Sequence, residues 1–516
     1  MEQTVMQLVK IILVLTLATL TEYSAAFNYE DVVTIAKQTA AKPYQERELI
    51  PSFLRDLSFQ EYQNIRFNPD KSLWRDSGSN FQVMLFSPGL YYSQAVDLQI
   101  VDAQGMHPLA YDRGLFNFTD PELEKRIPPN LGYAGFQLTF PLHNEKVQSQ
   151  FLVFAGASYF RGVGKNNAWG LSGRGVAVDT GLPSGEDFPS FTRFWLVRPA
   201  AKAKSMTLYG LLDGKSVVGA YQFVVTPGEH MTMVVNATLI PRKDINLLGV
   251  APLTSMFFYG ENTARPRGEW RTEVHDSDGL LIHDGSSKEW LWRPLIDPLN
   301  LQIDYFKTHN VRGFGLFQRD RNFPSYQDLE AHYQQRPSMW VTPQGEWGNG
   351  HVVLVQLPTT TETNDNIVAF WTPAEPVKQH VPIRLNYNVS VGDAMPTAQP
   401  VAHVLNTFVG DGNIIGGGNT PGAYRVVVDF AGVQLDKLAR DAAVIGEVTG
   451  LEGTAIIEQY VQYNSELKAW RLSILARPAE DSPLSLRGFL KLGDQALSET
   501  WTYKLPFVND INGNNR

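Results

Sequence analysis

Apolar and polar residues alternate with a period of two along much of this chain. The clearest run is Ile383-Arg-Leu-Asn-Tyr-Asn-Val-Ser-Val391, which puts every second side chain on one face of an extended strand and fits a helix poorly. Trp470-Arg-Leu-Ser-Ile474, Trp501-Thr-Tyr-Lys-Leu505 and Met231-Thr-Met233 repeat the pattern. Glycines (42) and prolines (31) interrupt these runs at short intervals, as strands joined by turns require. Helical periodicity is confined to Tyr29 to Ala40, Ser58 to Ile65 and Tyr326 to Gln335. The pattern predicts an all-β protein built from sandwiches, with minor helices.

A chain of 516 residues is too long for one ordinary core, so two or more domains are expected. The stretch Gly392-Asp-Ala-Met-Pro-Thr-Ala-Gln-Pro400 reads as a linker over 391–400. It separates a large β-sandwich over 27–390 from residues 401–516, a length that suits one immunoglobulin-like sandwich. Residues 1–26 read as a secretory leader. Lys10 precedes the apolar run Ile11 to Leu20, and Ser24-Ala25-Ala26 supplies small residues for cleavage before Phe27. The run is about half of the roughly twenty apolar residues that a membrane span needs. No twin arginine precedes it, so export by the general secretory route is expected. The absence of cysteine removes disulfides and thiolate chemistry. A formal charge of −9, with no dense Lys/Arg run, excludes a nucleic-acid partner, because phosphate neutralisation needs a basic surface.

The sequence contains no His-Glu-x-x-His, no P-loop and no G-x-S-x-G elbow, so no metal and no cofactor is expected. Gly170-Leu-Ser-Gly173-Arg-Gly175 reads as a tight turn between strands. Two clusters offer carboxylates. His275-Asp276-Ser277-Asp278-Gly279 with His283-Asp284-Gly285 is either a catalytic group or an Asp/Gly turn that starts strands. Glu362-Thr-Asn-Asp365-Asn366 stands just before the apolar run Ile367 to Trp371. A loop feeding a buried strand can hold a carboxylate at the rim of a cleft. Aromatic residues abound, and Trp290, Trp292 with Arg293, Trp340 and Trp347 are candidates to stack on sugar rings or to fill the core. Two carboxylates from distant segments with aromatic walls are the equipment of a glycoside hydrolase.

Several long blocks resemble those of the periplasmic glucans biosynthesis protein G/D family. They include Gly156-Ala-Ser-Tyr-Phe-Arg161, Ala177 to Pro189, Leu248 to Phe257, Val274 to Gly279, Glu289 to Pro294, Gly313 to Leu316, Arg336 to Pro343 and Glu362 to Trp371. The resemblance covers nearly the whole mature chain, and the leader type favours the G branch. It implies a large N-terminal β-sandwich with a cleft, a short linker and an immunoglobulin-like C-terminal sandwich in the periplasm. It also implies a part in making osmoregulated periplasmic glucans, whose backbone is β-1,2-linked glucose, beside a membrane glucan glucosyltransferase. Two activities are compatible with that part: a weak inverting endo-β-1,2-glucanase, or a non-catalytic glucan-binding or assembly factor. Carried over residue by residue, Asp365 matches a catalytic aspartate (general acid) and Asp276 its partner (general base), with proton transfer through water or a substrate hydroxyl. Glu362 is a third carboxylate, expected to bind substrate or to tune Asp365 by like-charge repulsion.

Overall fold

The computed structural model describes residues 27–393, 401–413 and 418–507. The leader expected at 1–26, most of the linker expected at 391–400, and Gly416-Gly417 of a glycine-rich loop lie outside these residues. Strands make up 48% of the structure and helices 9%, which fixes the all-β class.

Two large sheets face each other. The first runs in the order Gln82–Phe86, Gly135–Phe140, Ser149–Ala155, Tyr159–Gly162, Ser172–Arg174, Leu248–Ser255, Ile367–Pro373, Asn349–Gln356 and Gln302–His309. The second contains the meander Ser190–Val197, Met206–Asp213, Val217–Thr226 and Met231–Pro241. It continues through Ile383–Gly392, Ser338–Gln344, Gly313–Phe317, Gly279–His283 and Trp290–Pro294. In Ile383–Gly392 the alternation works as read: Leu385, Tyr387, Val389 and Val391 are buried, while Arg384 and Asn386 are exposed. Phe154 of the first sheet meets Phe191, Phe194 and Phe223 of the second at ring-centroid distances of 6.1, 5.1 and 5.1 Å. This aromatic contact seals the middle of the sandwich.

The helix Tyr29–Ala40 has its expected bounds. Asn28 and Asp31 form a reciprocal capping box, and Val32, Val33, Ala36 and Ala40 pack onto the second sheet. The helix expected from Ser58 shortens to Phe59–Gln63, with Ser58 as its cap. The helix expected over Tyr326 to Gln335 does not form. Left-handed backbone at Gln327 and His332 divides the segment into a short helix, Phe323–Tyr326, and a single 3₁₀ turn, Tyr333–Gln335. Between them, Asp328 accepts the N–H groups of Glu330 and Ala331, both at 2.8 Å, a local alternative to helical bonding.

Residues after 401 build a second sandwich. His403–Asn413, Asn419–Ala431, Ala469–Arg477 and Ala455–Asn464 form one of its sheets. Ile445–Leu451, Leu484–Leu492 and Thr500–Leu505 form the other, and this sheet is continuous with the large one. Thr500 and Trp501 pair in parallel with Leu291 and Trp292. Trp290, Trp292, Trp340, Trp470 and Trp501 share one core across this junction. Glu499 accepts an Arg319 N–H at 2.6 Å and the Val404 N–H at 2.8 Å, tying the junction further.

A shared sheet and core should make unfolding one event. Trp292→Ala is expected to cost about 3–5 kcal/mol, the range for emptying a buried aromatic site. Calorimetry should show a single transition moving down as a whole; two transitions of which only one moves would contradict this coupling.

Candidate active site

Asp365 is positioned by the residue after it. Asn366 is buried at the start of Ile367–Pro373. Its side chain accepts the Phe257 N–H at 2.9 Å and donates to the carbonyls of Phe257 (2.9 Å) and Leu357 (3.0 Å). The loop is therefore stapled at its end, and Asp365 projects into a cavity of about 350 Å³ lined also by Tyr92, Tyr159, Arg161 and Ser172. Arg161 Nη2 stands 3.8 Å from Asp365 Oδ2, and its Nε donates to Ser172 Oγ at 2.8 Å. Ser172 lies on the glycine-rich segment, which forms the strand Ser172–Arg174 rather than a tight turn. Gly173 is required because a Cβ there would enter the Phe160 ring.

Asp276 reaches the same neighbourhood from the second carboxylate cluster. It is 5% exposed and ion-paired with Arg336. Arg336 in turn lies 4.2 Å from the centre of the Tyr333 ring and donates twice to the Ala331 carbonyl, at 3.3 and 3.2 Å. Burial pushes the Asp276 carboxyl above the usual range; Arg336 opposes that push, and the Asp365 charge adds to it. Burial likewise raises Asp365, against Arg161 and Arg336. The two aspartates thus share one electrostatic environment with two arginines.

Glu362 does not act on Asp365 as expected. It accepts the Tyr333 hydroxyl at 2.6 Å and Arg271 Nη1 at 2.5 Å, and Arg271 is also held by Glu269 at 2.8 Å. Burial and this bond to Glu362 drive the Tyr333 phenol far up, so it stays protonated. A chain of contacts runs Glu269–Arg271–Glu362–Tyr333–Arg336–Asp276. Arg161, Arg271, Tyr333 and Arg336 were not singled out from the sequence, although Arg161 and Arg336 stand in the blocks that carry the resemblance.

The aromatic residues proposed as sugar platforms are placed elsewhere. Trp290, Trp292, Trp340 and Trp347 are 3–8% exposed and Arg293 is 7% exposed. Trp290 stacks on His283 at 4.1 Å, and Trp292 lies against the Arg319 guanidinium at 3.5 Å. Trp340 packs on Trp290, and Trp347 on Trp371. Arg293 is ion-paired with Asp304 at 3.3 Å. Rings with almost no free surface have no face for a sugar, so these residues form core. Tyr92 and Tyr159 line the cavity instead, and Trp270, 65% exposed, neighbours Arg271.

Among the described residues, Glu273, His275, Asp278 and Asp320 form a group close enough to hold a metal ion, their ligand atoms lying within 4.8 Å of one another. Both ring nitrogens of His275 already face oxygens: Nε2 to Glu273 at 2.9 Å, Nδ1 to Gln318 at 3.0 Å and to Asp278 at 3.2 Å. A doubly protonated ring therefore supplies the cation, and a metal would have to displace that proton. Burial favours the neutral ring, but Asp278 and Glu273 outweigh it and raise His275 to about 10. Burial and neighbouring carboxylates raise Asp320 to about 9 and Glu261 to about 8.

All three shifts mean that the folded state binds more protons than the unfolded one, so stability falls as pH rises. The His275 contribution is complete below its ordinary value of 6.5 and is lost as pH climbs through about 10. The melting midpoint should therefore drop between pH 7 and pH 10. His275→Asn should lower stability at pH 7 by about 3–5 kcal/mol, as removal of one partner from a buried pair does, and should flatten the pH dependence. An unchanged slope in His275→Asn would contradict this assignment.

The sequence matches the family model described as periplasmic glucan biosynthesis protein, MdoG, over residues 27–505. It is 43% identical to a glucans biosynthesis protein G of Ralstonia nicotianae over 486 residues, 93% of this chain and 96% of the relative. It is 42% identical to a probable glucans biosynthesis protein D of Shewanella oneidensis over 482 residues, 93% of this chain and 88% of the relative. The two branches are matched almost equally. Among the described residues no helix is long and apolar enough to cross a membrane.

Proposed function

The chain belongs to the periplasmic glucan biosynthesis family MdoG, and we propose that its part in that synthesis is hydrolytic: inverting cleavage of the β-1,2-linked glucose backbone. The observation that carries this reading is the pairing of two carboxylates from distant segments, Asp276 and Asp365, within reach of the same arginine charges beside a cavity. An inverting enzyme needs one carboxyl that holds a proton for the leaving oxygen and one carboxylate that takes a proton from water.

The environments support the division of labour carried over from the family. Asp365 faces the cavity, is lifted by burial, and meets its arginine only at 3.8 Å, so it is suited to carry the proton as general acid. Asp276 is in direct contact with Arg336, which favours its ionised form, while burial raises its basicity. It is suited to act as general base through a water or a sugar hydroxyl. Tyr333 and Arg271 fix Glu362, whose partly exposed carboxylate would accept from a sugar hydroxyl. A membrane glucosyltransferase would supply the nascent chain.

The test is incubation of concentrated mature protein with linear β-1,2-glucan, with new reducing ends as the readout. Asp365→Asn is expected to lower the rate by about 10²–10⁴-fold, the usual value of a general acid or base, while glucan binding persists. Equal slow release by both proteins, or none from either with binding intact, would replace this reading by that of a non-catalytic assembly factor.

A further inference from the structure

The turn that delivers Arg336 is gripped from outside by its carbonyls. The Gln335 carbonyl accepts Asn167 Nδ2 at 3.1 Å and the Ala168 N–H at 3.0 Å. The Arg336 carbonyl accepts Arg321 Nη1 at 2.5 Å, while Arg321 Nη2 donates to Ser338 Oγ at 3.2 Å. The Asn167 amide is fixed in orientation, because its Oδ1 accepts the Gly164 N–H at 3.1 Å. Both gripping side chains converge on one carboxylate. Asp393 Oδ1 accepts from Asn167 Nδ2 and stands 3.2 Å from Arg321 Nη1. Asp393 directly follows the strand Ile383–Gly392, whose last residue pairs with Ser338, two residues beyond Arg336. The sheet register therefore sets this carboxylate beside the turn.

None of Asn167, Arg321 and Asp393 lines the cavity beside Asp365, so any effect on chemistry must pass through Arg336. Burial disfavours the Arg321 charge, and the Asp393 and Asp278 carboxylates offset that cost. Without Asp393 the guanidinium gains by moving out toward water, which releases the Arg336 carbonyl. The Asp393 side chain is itself 57% exposed, and an ion pair so open contributes little to stability. Position and stability are thus separable at this residue.

We infer that Asp393 is a positioning residue for the acid pair: through Asn167 and Arg321 it fixes the backbone from which Arg336 reaches Asp276. This rests on the hydrolytic reading above. A residue that reads as linker in the sequence becomes part of the support of the site. Asp276 is in contact with Arg336 and also feels the charges of Asp365 and Arg161. Loosening Arg336 leaves burial and the Asp365 charge less opposed, so the Asp276 carboxyl titrates higher. A general base must be ionised, so the acidic limb of the pH–rate profile moves to higher pH.

The experiment measures release of reducing ends from linear β-1,2-glucan by the mature wild type, Asp393→Ala and Asp393→Glu across pH. Asp393→Ala should lower kcat by about 10- to 100-fold with KM little changed, the scale of a catalytic group displaced by an ångström or less. Its acidic limb should move up, while its melting midpoint stays within about 2 °C of the wild type. Asp393→Glu keeps the charge, has room for one more methylene at an exposed position, and should restore most of the rate. A wild-type rate and profile in Asp393→Ala would overturn the inference and leave the hydrolytic reading intact. So would a slower rate with an unmoved limb and a lowered melting midpoint, which marks a merely structural role. A wild type that releases no ends would overturn the hydrolytic reading and this inference with it.

Discussion

Arg336 joins parts of the chain that are far apart in sequence. It holds Asp276 by an ion pair, lies over Tyr333, bonds to the Ala331 carbonyl, and reaches Asp365 with its charge. A carboxylate 5% exposed is tenable only with a cation beside it, since desolvation otherwise neutralises it. The irregular segment from Gln327 to Gln335 follows from that need. A continuous helix would point its side chains in a fixed helical sequence. The left-handed residues Gln327 and His332 instead bring Tyr333 and Arg336 together beside Asp276. The broken helix, the ion pair and the placement of both aspartates are one constraint seen from three sides.

Local pattern carried the fold further than it carried the site. Period-two alternation needs only neighbours along one strand, so Ile383–Gly392 and Thr500–Leu505 were legible as soon as their residues were read. The tryptophans were not, because their surroundings are set by non-local packing. A Cβ on Gly279 would collide with Trp292, and one on Gly313 would collide with Trp340, so each indole fills a slot that a glycine on another strand leaves open. Aromatic residues within Gly-containing strands signal core of this kind, but the pairing that closes each slot is invisible before the sheet is known. The same limit hid the arginines. Asp276 and Asp365 stand in conspicuous acidic clusters, whereas Arg161 and Arg336 look like ordinary strand and loop residues until the fold brings them to those carboxylates. The continuous sheet between the two sandwiches was equally unreadable, since Trp292 and Trp501 are separated by more than the length of the second sandwich.

Adjacent residues of one short segment serve two separate charge systems. His275 and Asp278 turn inward to Glu273 and Gln318, where an imidazolium neutralises buried carboxylates. Asp276, between them, turns the other way to Arg336. The inward system, packed beside the junction with the second sandwich, fixes the backbone from which Asp276 projects. The outward system feels the charge of Asp365, which lines the cavity, and its protonation therefore responds to what fills that cavity. On the hydrolytic reading, a glucan chain entering beside Asp365 expels water and raises the cost of its charge, pushing its carboxyl further toward the protonated form. Asp276 undergoes less change, because it is already buried and its cation is already in place. Substrate binding would then widen the difference between the two carboxyls in the direction that an acid and a base require, with no movement of the backbone.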